Sequence, residues 1–131
     1  MGRPGRLALA QVLPMWKEEH NYDVSIANVE NLAHGRGITL ATIEELEGVG
    51  FDAYTSGNHV FETGPNSQAC FDKYDKIIRP QNYTGDFPGV GYYRFAKNGQ
   101  QYLVLNLSGR TYMDVQERFN STNPFSIPSE T

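Results

Sequence analysis

Apolar positions along the chain change their period several times, and each change marks an element. Leu9, Val12, Leu13 and Trp16 recur at helical spacing behind Pro4, which suits a first helical turn. Pro14 removes a backbone donor inside that run, so a kink is expected there. In "YDVSIAN" the pattern shortens to alternation, with Val24 and Ile26 set against polar neighbours, as in a short strand. "VENLAHGRG" reads as a polar loop. Thr39 is placed to cap a helix over "LATIEELEGV", with Gly50 at its C-terminal end. "FDAYT" is a second strand, and it stops on Gly57-Asn58-His59. A short helix over "PNSQACFDKY" and a third strand, "KIIRP" closed by Pro80, continue the alternation.

The clearest local signal is the hairpin "YYRFAKNGQQYLVLNL". Asn98-Gly99 is a preferred two-residue turn, and Tyr93, Phe95, Tyr102, Val104 and Leu105 are strand formers. Beyond Leu107 no period is visible. Strand–helix alternation followed by a hairpin predicts an α/β domain with a mostly parallel first half. Sheets of that kind place ligands just beyond the carboxyl ends of their strands. The loops after Asn28 and after Thr55 both stand at such ends.

Composition narrows the function classes. The chain has 131 residues, 39% hydrophobic and 20% charged, which suits one globular domain with a core. A net charge of -4 gives no basic footprint, so duplex nucleic acid is not an expected partner. Phosphate-bearing small molecules stay open if metal ions supply positive charge. The single cysteine, Cys70, excludes an internal disulfide and favours a reducing compartment; its expected role is packing on a short helix. No apolar run reaches membrane-span length, and the N-terminus makes a poor signal peptide, so a cytoplasmic protein with no membrane partner is expected.

Candidate chemistry lies in the two strand-end loops. The first carries Asn28, Glu30 and Asn31, the second Asn58 and His59. If the strands are neighbours these side chains converge. Carboxylate, amide and imidazole are donors for hard or borderline divalent ions, and a histidine beside such a site can protonate a leaving group. Gly-Asn-His alone is weak, since asparagine and glycine are common turn residues. Residue types and spacing therefore reach only a metal or phosphate site.

Taken in order, "IANVENLAHGRGIT", "TSGNHVFE", "IIRPQNY", "VLNLSGR" and "NPF" resemble the YmdB-type metallophosphoesterases of the calcineurin-like superfamily, from Gly2 to about Phe125. The resemblance implies a sandwich of mixed β-sheet flanked by helices. It also implies a dinuclear centre of two divalent ions, iron or manganese, and a phosphodiesterase acting on 2',3'-cyclic nucleotides. Carried over by position, Glu30 matches the bridging carboxylate and Asn31 the asparagine beside it. Asn58 matches the amide ligand, and His59 the histidine that donates a proton to substrate. Metal ligands are thus expected at Glu30, Asn31 and Asn58, with His59 catalytic.

The sequence also departs from that pattern. The family has a strand of the form "ILFIGD", whose aspartate is a ligand, before the counterpart of Gly2-Arg3-Pro4-Gly5, and three histidines in later loops. This chain has only His20, His34 and His59, so residues 1–131 are expected to form a single, incomplete domain. His34 and Val29 stand where the family usually has glycine. An alternative expectation follows: a non-catalytic remnant acting as a binding or interaction module, self-associating through an open sheet edge. Arg79, Asn82, Asn106 and Arg110 stand at strand ends near phosphate reach but are not expected site residues.

Overall fold

The computed structural model describes residues 2–111 and 119–126. Residues in the patternless C-terminal stretch at 112–118 and 127–131 lie outside that set. The elements run in the expected order: α1 (Arg3–His20), β1 (Ile26–Asn28), α2 (Leu40–Glu47), β2 (Ala53–Thr55), α3 (Pro65–Lys73), β3 (Ile77–Ile78), β4 (Tyr92–Lys97) and β5 (Gln100–Leu105), with a 3-10 turn at Pro124–Ser126. Strands β1, β2 and β3 form a parallel sheet in that order, and β4–β5 form an antiparallel hairpin. The fold is therefore mixed α/β, as the alternation predicted.

Local chemistry explains the boundaries. Thr39 caps α2 through a reciprocal pair with Thr42, each side chain taking the other's backbone N–H. The Asn98-Gly99 turn has φ of 51° and 75°, the left-handed pair that a two-residue hairpin turn requires. Helix α1 runs through Pro14 without a break in its helical assignment. The carbonyl left without a donor belongs to exposed Ala10, where water can take its place. The helical stripe is also only half used: Leu9 and Leu13 pack on the core, while Val12 and Trp16 stay exposed. Strand β1 starts at Ile26, so Val24 precedes it.

The core lies between the parallel sheet and its helices. Val29, Leu32, Ile38, Ile43, Leu46, Tyr54, Val60, Cys70 and Ile77 are almost wholly buried in one cluster. Each such aliphatic side chain contributes about 2 kcal/mol relative to an exposed one. Helix α1 buries no residue completely and is tied down by Arg6, which donates to Glu45 Oε2 at 2.6 Å and to the Leu32 carbonyl at 3.0 Å.

The hairpin joins the sheet through the segment after β3. Arg79 N donates to Val90 O, Gln81 N to Asn106 O, and Asn106 N to Gly91 O. The buried Asn106 amide also donates to Ser56 O at 2.7 Å and Ile78 O at 3.2 Å, bridging the ends of β2 and β3. These bonds hold the carboxyl ends of the strands in fixed relation. The candidate site stands there.

Candidate active site at the strand ends

Register brings the two loops together. Asn28 pairs with Thr55, and Val29 N extends the ladder to Thr55 O at 2.9 Å. Glu30 and Gly57 thus stand two residues beyond the same rung. Glu30 is half-buried, with its backbone held by Asn28 Oδ1 at 3.2 Å and by a 2.6 Å bond from Gly37 N to its carbonyl. Its carboxylate lies directly over Gly57, where an added Cβ would stand 2.2 Å from Oε2. The same oxygen faces the backbone N–H of His59 at 3.4 Å. Glycine at 57 is what lets the carboxylate come down onto the second loop.

After Gly57 the chain makes successive tight turns: Val60 N to Gly57 O, Glu62 N to His59 O, and Gly64 N to Phe61 O. They are anchored by buried Val60, by Ser67 Oγ donating to its carbonyl at 2.5 Å, and by Thr63 Oγ1 donating to Ile38 O at 2.5 Å. The turn at 59–62 sets two side chains on one side. His59 Nδ1 and Glu62 Oε1 are 2.7 Å apart, and Arg36 of the first loop stands 3.7 Å from Glu62 Oε2. An open cleft of about 590 Å³ lies between the loops, lined by His34, Arg36, Thr39, Glu62, Thr63 and Asn66 among others.

The structure therefore brings the Glu30 carboxylate onto the backbone of the second loop at Gly57 and His59, with Asn58 between the two residues that meet it. Asn31 follows Glu30, but it is exposed and its backbone bridges to Gly37. Val29 is a core residue outside the left-handed region, whereas exposed His34 has φ of 53°, a conformation that glycine would adopt more easily. His20 lies exposed at the end of α1 beside Glu19.

Sequence reasoning missed Glu62, Arg36 and Tyr83. Glu62 had a signal, its place three residues after His59 in a turn. Tyr83 had none. It is buried and donates to Ser108 Oγ at 3.3 Å. Burial raises its hydroxyl's pKa, partly offset by the Ser108 bond, and the Glu30 charge adds to the rise. Two of the residues left off the expected site make structural contacts. Arg79 donates to the Gly89 and Pro80 carbonyls, and Asn82 is held by Ser108 and Thr122.

A carboxylate facing a glycine backbone can accept a divalent cation, and amide oxygens are compatible neighbours. The donor set is nevertheless small. Among the described residues there is no group of three or more His, Cys, Asp or Glu side chains able to hold a metal ion. Glu30, Asn31 and Asn58 do not on their own fit a two-metal centre.

Known proteins share this arrangement of elements. The chain is 34% identical to the 2',3'-cyclic-nucleotide 2'-phosphodiesterase of Bacillus subtilis (strain 168) over 116 residues, 86% of this chain and 42% of that protein. A crystal structure described as a novel phosphatase from Mycoplasma pneumoniae superposes with a TM-score of 0.83 at 30% identity, covering 95% of this chain and 44% of the other. A hypothetical protein from Thermus thermophilus gives 0.81 at 31% identity, with 95% and 46% covered. The chain thus spans less than half the length of these relatives. Among the described residues no helix is long and apolar enough to cross a membrane. The family described as YmdB-like protein matches residues 1–129, and the chain belongs to that family.

Proposed function

We propose that this chain carries part of a phosphodiesterase site whose substrates are small phosphodiesters, 2',3'-cyclic nucleotides among them. The observation that carries the reading is the meeting of Glu30 and the Gly57–His59 turn at the carboxyl ends of β1 and β2. The phosphodiesterase name of a relative 34% identical supports the substrate class. In this reading His59 gives a proton to the departing ribose oxygen, a step worth about a hundredfold or more in rate. Glu30, Asn31 and Asn58 supply one wall of a divalent-metal site for iron or manganese, not the whole of it.

The test is hydrolysis of 2',3'-cyclic AMP by the chain with added manganese, beside His59→Ala and Glu30→Gln. Turnover that both substitutions abolish supports the reading, and equal turnover in all three chains overturns it.

A second reading is favoured by apolar surface. Ile26, Leu103, Leu105 and Leu107 are all exposed, and β1 is an edge strand. In that reading the chain is an interaction module that pairs with another copy or chain. Nucleotide binding without turnover, together with association, is its signature.

A further inference from the structure

His59 is set apart from a loop histidine by what holds its ring. Its Nδ1 lies 2.7 Å from Glu62 Oε1, and the side chains are only 28% and 19% exposed. That distance is a full hydrogen bond. A carboxylate at Nδ1 accepts, so the nitrogen must donate. The neutral ring then carries its proton on Nδ1, and Nε2 is left with its lone pair facing away from Glu62.

The carboxylate is itself placed. Glu62 N donates to His59 O at 3.0 Å, closing the turn that sets the two side chains three residues apart. Its other oxygen stands 3.7 Å from Arg36 Nη1. Gly37 beside Arg36 lies so close to Thr63 that an added Cβ would come within 2.7 Å of Thr63 Cγ2. The first loop is thus pressed against the residue following Glu62.

We propose that Glu62 is a positioning residue for His59: it fixes the ring orientation and the Nδ1–H tautomer, and so commits Nε2 to proton exchange with substrate. The tautomer stands on this geometry alone, while its consequence for turnover rests on the proposed phosphodiesterase reading. In that step the doubly protonated ring gives its Nε2 proton to the leaving oxygen and ends as the neutral Nδ1–H form. Glu62 keeps its charge throughout and takes no proton, like other carboxylates that orient a histidine.

The experiment uses the 15N-labelled chain carrying His20→Gln and His34→Gln, so that one imidazole remains. Long-range 1H–15N correlation at a pH where the ring is neutral reads the tautomer directly. The expected result is Nδ1–H with Glu62 and with Glu62→Gln, whose amide oxygen still accepts. Glu62→Ala should shift the ring to Nε2–H, which an unrestrained neutral histidine prefers. Nε2–H in the chain that retains Glu62 overturns the proposal, as does an unchanged tautomer in Glu62→Ala.

A second arm follows hydrolysis of bis(p-nitrophenyl) phosphate with manganese in the chain with its natural histidines. Glu62→Ala should lose about tenfold or more in kcat with KM unchanged, and Glu62→Gln should recover most of it. Full kcat in Glu62→Ala overturns the catalytic consequence. Turnover absent from every chain, with the tautomers as expected, counts against the phosphodiesterase reading and upholds the placement of His59.

Discussion

At Gly57 the space for a side chain is already filled by the Glu30 carboxylate. The obstructing atoms are the far end of a flexible side chain, so Gly57→Ala should fold, at a cost of about 1 kcal/mol, the low end for overpacking, by swinging Glu30 aside. On the proposed phosphodiesterase reading it should nevertheless weaken manganese binding and turnover as much as Glu30→Gln does. Titration calorimetry and urea unfolding on both variants check this, and an intact metal response in Gly57→Ala would show that the close approach is irrelevant. Cys70 makes the opposite case, a reactive group kept silent. It is fully buried, and burial pushes its thiol up to about 11. At pH 8 it should react with a disulfide reagent only slowly, and rapidly once urea unfolds the chain. Fast labelling of the folded chain would contradict the packing.

At the scale of elements, three connections outside the core hold the strand ends and helices in place. Thr39→Ala removes the cap of α2 and should cost about 1 kcal/mol in urea unfolding. Asn106→Ala unpins the hairpin from Ser56 and Ile78, taking the side-chain donor from the Ser56 carbonyl while Ile78 O keeps that of Ser56 Oγ, and should cost about 1–3 kcal/mol. The third connection is Asp52, which Lys97 Nζ reaches at 2.7 Å from the end of β4. Burial alone would raise this carboxyl, but hydrogen bonds from Lys97 and Ser25 hold it below its ordinary value. A carboxyl lowered in this way stabilises the fold above its unfolded value of about 3.9, and the stabilisation is lost as pH falls through the lower folded value. Lys97→Ala should therefore be less stable at pH 7 and lose less between about pH 5 and pH 2. Parallel stability curves for the two chains would rule the ion pair out as a contributor.

At the scale of the molecule, among the described residues, one edge of β1 is unpaired and apolar side chains lie in solvent. Leu103 and Leu105 share one face of the hairpin, 54% and 42% exposed. Leu103→Lys with Leu105→Lys should suppress concentration-dependent association in sedimentation velocity, and a parent chain monomeric at all concentrations would remove the second functional reading. How much of this could be read in the sequence depended on distance along the chain. The Thr39 cap, the Asn98-Gly99 turn and the strand ends carrying Glu30 and His59 were legible because neighbours within a few residues determine them. The role of Asn106 was not, since its partners are backbone atoms supplied by segments 28 and 50 positions away and nothing in an asparagine names its acceptor. Glu62 lay between these cases: the spacing was visible, but only the turn brings it toward His59. Glu30 and His59, 29 positions apart, meet through the β1–β2 pairing alone, whereas the Asn106 bridge to Ser56 spans 50. Their meeting requires one moderate loop closure, whose entropic cost rises only slowly with length. In the order of folding events, then, the Glu30 carboxylate and the Gly57–His59 backbone should come together with the first β-α-β unit. Slow docking of the hairpin would delay the finished domain without delaying them.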